Sequence, residues 1–279
     1  MHRLACEGWH ATVGMQVLAA RWTELDMDEL FALDGKTALV TGSTSGIGEM
    51  IAAGFVGAGA RTFIVGRNAA TCAEAAGRMS GRGQAVALPG DVSTKAGIQA
   101  LAAALAAHTD RLDVLVNNAG TMREAPIAEF SEEDWDDVLD LNLKSVFFLT
   151  QALLPMLRAA ASADSHASVV NIGSVGGRRV GPKENYSYAA AKAGLHHVTG
   201  SLAKRLGPEN ITVNAIAPGF FPSKMTVIPP AMMDVVLAQV PRRRVGQESD
   251  MAGAAIYLAS RAGSFVNGIV LPVDGGMSL

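Results

Sequence analysis

The stretch that most constrains this chain is Thr37-Ala38-Leu39-Val40, a short apolar run that ends in Thr41-Gly42-Ser43-Thr44-Ser45-Gly46-Ile47-Gly48 and continues as alanine-rich helical text from Met50 to Phe55. A strand, a glycine turn and a helix in that order form half of a parallel βαβ unit. The glycines let backbone approach a pyrophosphate, and the amides at the helix start present partial positive charge to it. Taken alone, such a turn is also compatible with a tight bend that holds nothing.

The same alternation continues to the C-terminus. Strands are expected at Arg61–Val65, Ala85–Leu88, Leu112–Val116, around Val169-Val170, at Ile211–Ile216 and at Val266–Val273, with helical text between them at Thr71–Met79, Gly97–His108 and Val138–Leu157. Alternating strands and helices imply right-handed crossovers into one parallel sheet. The expected fold is a single α/β domain, a Rossmann-like doubly wound parallel sheet of about seven strands with helices on both faces. We place that domain at 33–279 and read 1–32 as an N-terminal extension. Met27-Asp28-Glu29-Leu30-Phe31 would serve as an ordinary start just ahead of the first strand.

Composition bounds the function. With 279 residues, 49% of them hydrophobic and 18% charged, the chain can bury a large core. A net charge of -3 argues against a nucleic-acid surface. The mean hydropathy of +0.23 comes mostly from alanine, and no apolar run approaches the roughly 18 residues of a membrane span. Two cysteines, Cys6 and Cys72, make no disulfide framework, so a reducing, cytoplasmic setting is expected.

Chemistry concentrates between Ser174 and Lys192. Tyr188-Ala189-Ala190-Ala191-Lys192 puts a phenol and an ammonium at i and i+4 on one helix face, and Tyr186 has only Ala190 at that offset. A nearby positive charge depresses a phenol from about 10 by roughly one to three units, giving it acid-base competence near neutrality. Ser174 stands where a strand should end, and its hydroxyl can hold a carbonyl oxygen beside the phenol. The plainer reading is a packed tyrosine and a solvated lysine.

Other positions suit a dinucleotide. The second strand ends about 20 residues past the glycines, where an adenosine ribose belongs. Arg67 stands there in place of an acid; it can pair with a 2′-phosphate, so NADP(H) is preferred, with NAD(H) as the alternative. Otherwise Arg67 is a solvated loop cation. Asp91, beside Val92, can accept from an adenine amino group or cap the helix beginning near Ser93. Asn117-Asn118-Ala119-Gly120 closes the fourth strand as a ligand crevice or as a turn. Ser131 ahead of Glu132, Glu133 and Asp134 reads as an N-cap with acids in the first turn, which invokes no metal. Asn142 is either a kink device or part of a buried polar relay. Residues 223–240, with Met225, Met232 and Met233, read equally as a mobile apolar lid or as helical core.

With these parts assembled, the chain resembles the short-chain dehydrogenase/reductase family over roughly 33–279. The resemblance rests on T-G-S-T-S-G-I-G from Thr41, N-N-A-G from Asn117, the Asn of L-N-L, N-I-G-S ending at Ser174, Y-A-A-A-K from Tyr188 and A-P-G from Ala217. It implies an oxidoreductase acting on CH–OH groups with NADP or NAD, in which Tyr188 donates the proton, Ser174 orients the carbonyl, Lys192 holds the ribose and Asn142 supports a water relay. It implies a nicotinamide site drawing on Gly42, Ser43, Ser45, Gly46, Ile47, Gly48, Arg67, Asp91, Val92, Asn118, Ala119, Gly120, Tyr188, Lys192, Pro218, Gly219 and Phe221. Ser45 occupies a position often basic in NADP-dependent relatives, which leaves more of the phosphate recognition to Arg67. Tyr188 follows Ser174 by 14 residues, one more than in many relatives.

Within that family the chain looks like the NADPH-dependent 3-oxoacyl reductases of the rhamnolipid-associated type. The expected partner is a small carbonyl or alcohol substrate, carried on CoA or an acyl carrier, with Lys224 and Arg242-Arg243-Arg244 facing its phosphates or remaining solvated. The rival substrates are sugars, polyols and xenobiotic alcohols, and the rival class is a dinucleotide-binding regulator without turnover. The resemblance also implies a homotetramer or homodimer paired through the helices containing 141–157 and 188–205.

Overall fold

The computed structural model describes residues 26–223 and 230–279. Helices α1 (Met27–Phe31), α2 (Gly46–Gly57), α3 (Ala69–Met79), α4 (Lys95–Ala106), α5 (Glu132–Leu139), α6 (Ser145–Ala160), α7 (Tyr186–Leu206), α8 (Met233–Ala238) and α9 (Glu248–Ala259) accompany seven strands. These are β1 (Thr37–Thr41), β2 (Arg61–Val65), β3 (Ala85–Ala87), β4 (Val114–Asn117), β5 (Ala167–Ile172), β6 (Ile211–Pro218) and β7 (Val270–Val273). Every pairing is parallel, in the order β3-β2-β1-β4-β5-β6-β7.

Strands β1, β4, β5 and β6 are buried along their whole length. That explains why they read as continuous apolar runs, since both faces are covered by helices. One face packs Val40, Ile64, Val116 and Val170 against Ile51, Phe55 and Met251 of the covering helices. The other packs Leu39, Phe63, Leu115 and Val169 against Leu101, Leu149 and Leu153. Alternate residues of each strand thus serve opposite layers.

The final strand begins later than the expected Val266. The Asn267 side chain accepts from Val213 N at 2.9 Å and donates to Ala203 O at 3.0 Å, and Gly268 has φ +82°. That left-handed turn delays regular pairing until Val270.

A fully buried polar chain crosses the sheet beneath its C-terminal edge. Asn117 Nδ2 donates to Thr150 Oγ1 at 3.2 Å and to Asn171 Oδ1 at 2.9 Å, and Asn171 Nδ2 donates to Thr199 Oγ1 at 3.0 Å. It ties β4 and β5 to α6 and α7, the helix bearing Tyr188. Buried amide groups left unpaired cost about 1–3 kcal/mol each, so the bonds of this chain favour one register of α7 on the sheet.

Candidate active site

The sheet order reverses between β1 and β4, which opens a crevice at their C-terminal ends. A cleft of about 1800 Å³ occupies it. The glycine turn forms its floor. Gly42 and Gly46 have φ +63° and +60°, a region that favours glycine. A Cβ on Gly42 would sit 3.0 Å from both Ala119 Cα and Asn118 Nδ2, and one on Gly48 would collide with Asn118 Nδ2 and Gly42 O. Backbone therefore lies where a side chain would otherwise fill the cradle.

Asn118 laces that turn in place, donating from Nδ2 to Thr41 O at 2.8 Å and to Gly42 O at 3.1 Å. Thr41 Oγ1 returns the tie by accepting from the amides of Asn118 at 2.9 Å and Ala119 at 3.0 Å. Ser45 is the N-cap of α2 but makes no side-chain capping bond. The helix-start amides are thus unclaimed by that hydroxyl and face the cleft, as an anion site requires. Ser43 turns the other way: it is fully buried, donating to Val40 O at 2.7 Å and accepting from Val65 N at 3.0 Å. It holds β1 against β2 and its hydroxyl is spent.

Arg67 is exposed at the rim of the cleft, with Asp91 and Val92 on the same wall. The Ser93 amide, donating to Asp91 Oδ1 at 2.9 Å, is the main cause holding the Asp91 carboxyl below its usual range, with Arg67 adding to it. Asp91 closes a local turn, while Thr94 caps α4. Ala119, Gly120, Pro218 and Gly219 also line the cleft. Phe221 does not: it is 3% exposed, and its ring packs on Gly246 beside a smaller cavity.

On the opposite wall Ser174, Tyr188 and Lys192 converge. The Ser174 hydroxyl accepts from Gly176 N at 3.0 Å and stands near enough to the Tyr188 phenol to draw its pKa down. Lys192 is 5% exposed, with Nζ 5.6 Å from the centre of the Tyr188 ring and donating to Ile172 O at 2.7 Å. The expectation that the ammonium acidifies the phenol is not met here. Burial pushes Tyr188 up, opposed only by the Ser174 hydroxyl, and burial lowers Lys192 itself to about 8. The ammonium donates to a carbonyl of β5 rather than to the phenol oxygen, and burial outweighs what stabilises the phenolate.

Asn142, considered as a kink device or as part of a buried polar relay, has backbone partners in the fold. It lies in a π-helical turn, 140–144, that joins α5 to α6. Its fully buried amide clamps Thr121, donating to the carbonyl at 2.6 Å and accepting from the amide at 2.9 Å. Residues 230–240 divide between the two readings: Met232 and Val235 are exposed on the cleft wall, while Val240 is buried against Val175 and Met277. Lys224, Met225 and Val227 lie outside the described residues. Arg244 is committed to Asp250 at 2.8 Å and borders the smaller cavity, so it is not offered to a substrate phosphate.

Sequence reasoning overlooked three participants. Thr41 and Thr121 act through partners distant in the chain, for which no local pattern exists. His196 shares the helix face of Tyr188 and Lys192 at i+8, a spacing that would have exposed it. Among the described residues no group of His, Cys, Asp or Glu is arranged to hold a metal, and no helix is long and apolar enough to cross a membrane.

The family model described as enoyl-(acyl carrier protein) reductase matches residues 42–278. The chain is 46% identical to a rhamnolipids biosynthesis 3-oxoacyl-[acyl-carrier-protein] reductase of Pseudomonas aeruginosa, over 91% of this chain and 100% of that protein. It is 36% identical to a gluconate 5-dehydrogenase of Gluconobacter oxydans, over 90% and 98%. A solved RhlG/NADP active-site complex of Pseudomonas aeruginosa superposes with a TM-score of 0.88 at 46% identity, covering 90% of this chain and 99% of that one. With the glycine cradle, the switch-point cleft and the Ser-Tyr-Lys wall all in one domain, the chain belongs to the short-chain dehydrogenase/reductase family of oxidoreductases.

Proposed function

We propose that this chain reduces a ketone on an acyl thioester to the secondary alcohol with NADPH. The observation that carries the reading is Ser174 and Tyr188 side by side on the wall of one cleft, facing a glycine turn built to receive a pyrophosphate. The turn, the uncapped start of α2 and Arg67 fit a 2′-phosphorylated dinucleotide, as does the likeness to an NADP complex. When bound, that coenzyme supplies the hydride to the carbonyl carbon. Tyr188 gives its proton to the carbonyl oxygen, and Ser174 holds that oxygen in line with the phenol. Lys192, buried behind the phenol, holds the ribose edge and keeps a positive charge near the site.

Phe220, Met232, Val235 and Met277 give the substrate end of the cleft an apolar wall, which suits an acyl chain. Relatives named as 3-oxoacyl reductases favour the same substrate class. The second reading is a sugar acid, favoured by Arg178 and Arg179 on the cleft wall and by the likeness to a gluconate 5-dehydrogenase solved with NADP and tartrate. We take 33–279 as the catalytic domain and 1–32 as an extension. Exposed Phe147 and Phe148, whose rings meet edge to face on α6, support pairing of copies through that helix.

Four outcomes are expected. In an assay of NADPH oxidation, acetoacetyl-CoA outpaces 5-ketogluconate and cyclic ketones; the reverse order assigns the sugar-acid reading. Tyr188→Phe loses turnover by about a thousandfold or more while fluorescence titration shows NADPH still bound; wild-type turnover in that variant removes Tyr188 from the chemistry. Because Lys192 discharges near pH 8 while the raised phenol stays protonated, kcat/KM for reduction falls as pH rises through about 8; a profile flat through that pH contradicts it. Light scattering of the purified chain gives the mass of a dimer or tetramer, and a monomer mass rejects the pairing.

A further inference from the structure

His196 lies on α7 one turn beyond Lys192 and two beyond Tyr188, and no proton-transfer step described above uses it. Its ring faces the loop that follows β5. Nε2 accepts from the Ser174 amide at 3.5 Å, and the Gly177 backbone lies near enough to the ring to raise its pKa. The fit is close on both flanks of the serine. A Cβ on Gly173 would strike His196 Nε2, and one on Gly177 would lie 2.9 Å from His196 Cε1. The imidazole fills the space that the two glycines leave open.

The charge state agrees with that geometry. Burial first, then the neighbouring charges of Lys192 on its own helix and Arg178 on the facing loop, hold His196 at about 4, while the Gly177 backbone works the other way. Near neutral pH the ring therefore carries one N–H and one bare nitrogen, the form able to donate to Gly177 and accept from Ser174 at once.

We propose that His196 is a positioning residue of this enzyme: its imidazole clamps the segment from Gly173 to Gly177 so that the Ser174 hydroxyl stays aligned with the Tyr188 oxygen. The inference rests on the reading of Ser174 and Tyr188 as the oxygen-binding pair. Its weight comes from distance sensitivity, since misplacing a positioned group by about 1 Å can cost on the order of a hundredfold in rate.

The test compares His196→Leu, His196→Gln and Ser174→Ala in the full chain, assayed with NADPH and the best carbonyl substrate of the panel above, alongside NADPH affinity and Tm. We expect His196→Leu to lower kcat by about tenfold or more with NADPH affinity and Tm near those of the parent. His196→Gln, whose amide both accepts and donates, should recover most of that loss. Parent-like kcat in His196→Leu overturns the clamp. Equal losses in the Leu and Gln variants overturn it too, as does a loss matched by falls in Tm and NADPH affinity, because either shows only a packing role. Ser174→Ala separates the two claims: if it is inactive while His196→Leu is not, only the clamp fails, and if it turns over normally, the oxygen-binding pair itself is misassigned and the clamp falls with it.

Discussion

The reversal of strand order between β1 and β4 is the constraint on which everything else hangs. Right-handed crossovers carry the chain outward in opposite directions from that point, so the helices leaving β1 and β4 part and cannot cover the gap between them. The gap has to be walled by loops at the strand ends, and Gly42, Asn118 and Ser174 stand on those loops or where the strands run into them. Thr41 and Asn118 lace the two central loops across the gap through four hydrogen bonds, which makes the crevice a fixed feature of the sheet.

Rigidity on the other wall comes from a different source. There α7 presents Tyr188, Lys192 and His196 along one face, and the buried Asn117-Asn171-Thr199 chain anchors the helix to the sheet. A buried ammonium is costly, and Lys192 meets that cost with the Ile172 carbonyl and a lowered affinity for its proton. Its orientation is therefore set by the end of β5, the same segment that delivers Ser174. The positions of Tyr188, Ser174 and Lys192 are three outcomes of one strand-helix packing.

Much of this was legible in the residues. Parallel strands buried on both faces leave unbroken apolar runs, so β1, β2, β4 and β6 could be bounded to within a few residues, and Ser131 was read correctly as a cap because capping is local chemistry. Where long-range contacts overrode local pattern, the reading fell short. Val266 has the look of a strand start, but Asn267 bonds to β6 and α7 and forces a turn. Ser43 belongs to a nucleotide-binding motif by its position, while its hydroxyl ties two strands together. The phenol was expected to feel the lysine four residues on, and the lysine instead faces a carbonyl 20 residues earlier in the chain.

By itself the sequence determined the sheet class, the family and the spacing of phenol and ammonium on one helix, because strand burial, glycine turns and helical periodicity are set over a few neighbouring residues. Only the tertiary structure decided which polar atoms are free for a ligand and which are consumed: that Asn118 and Thr41 hold the turn, that Asn142 grips Thr121, that Arg244 is bound to Asp250, and that His196 backs the serine loop. Each of these depends on a partner brought close by packing, and the direction of a hydrogen bond or a buried charge is fixed by that partner rather than by the residue's own neighbours in the chain.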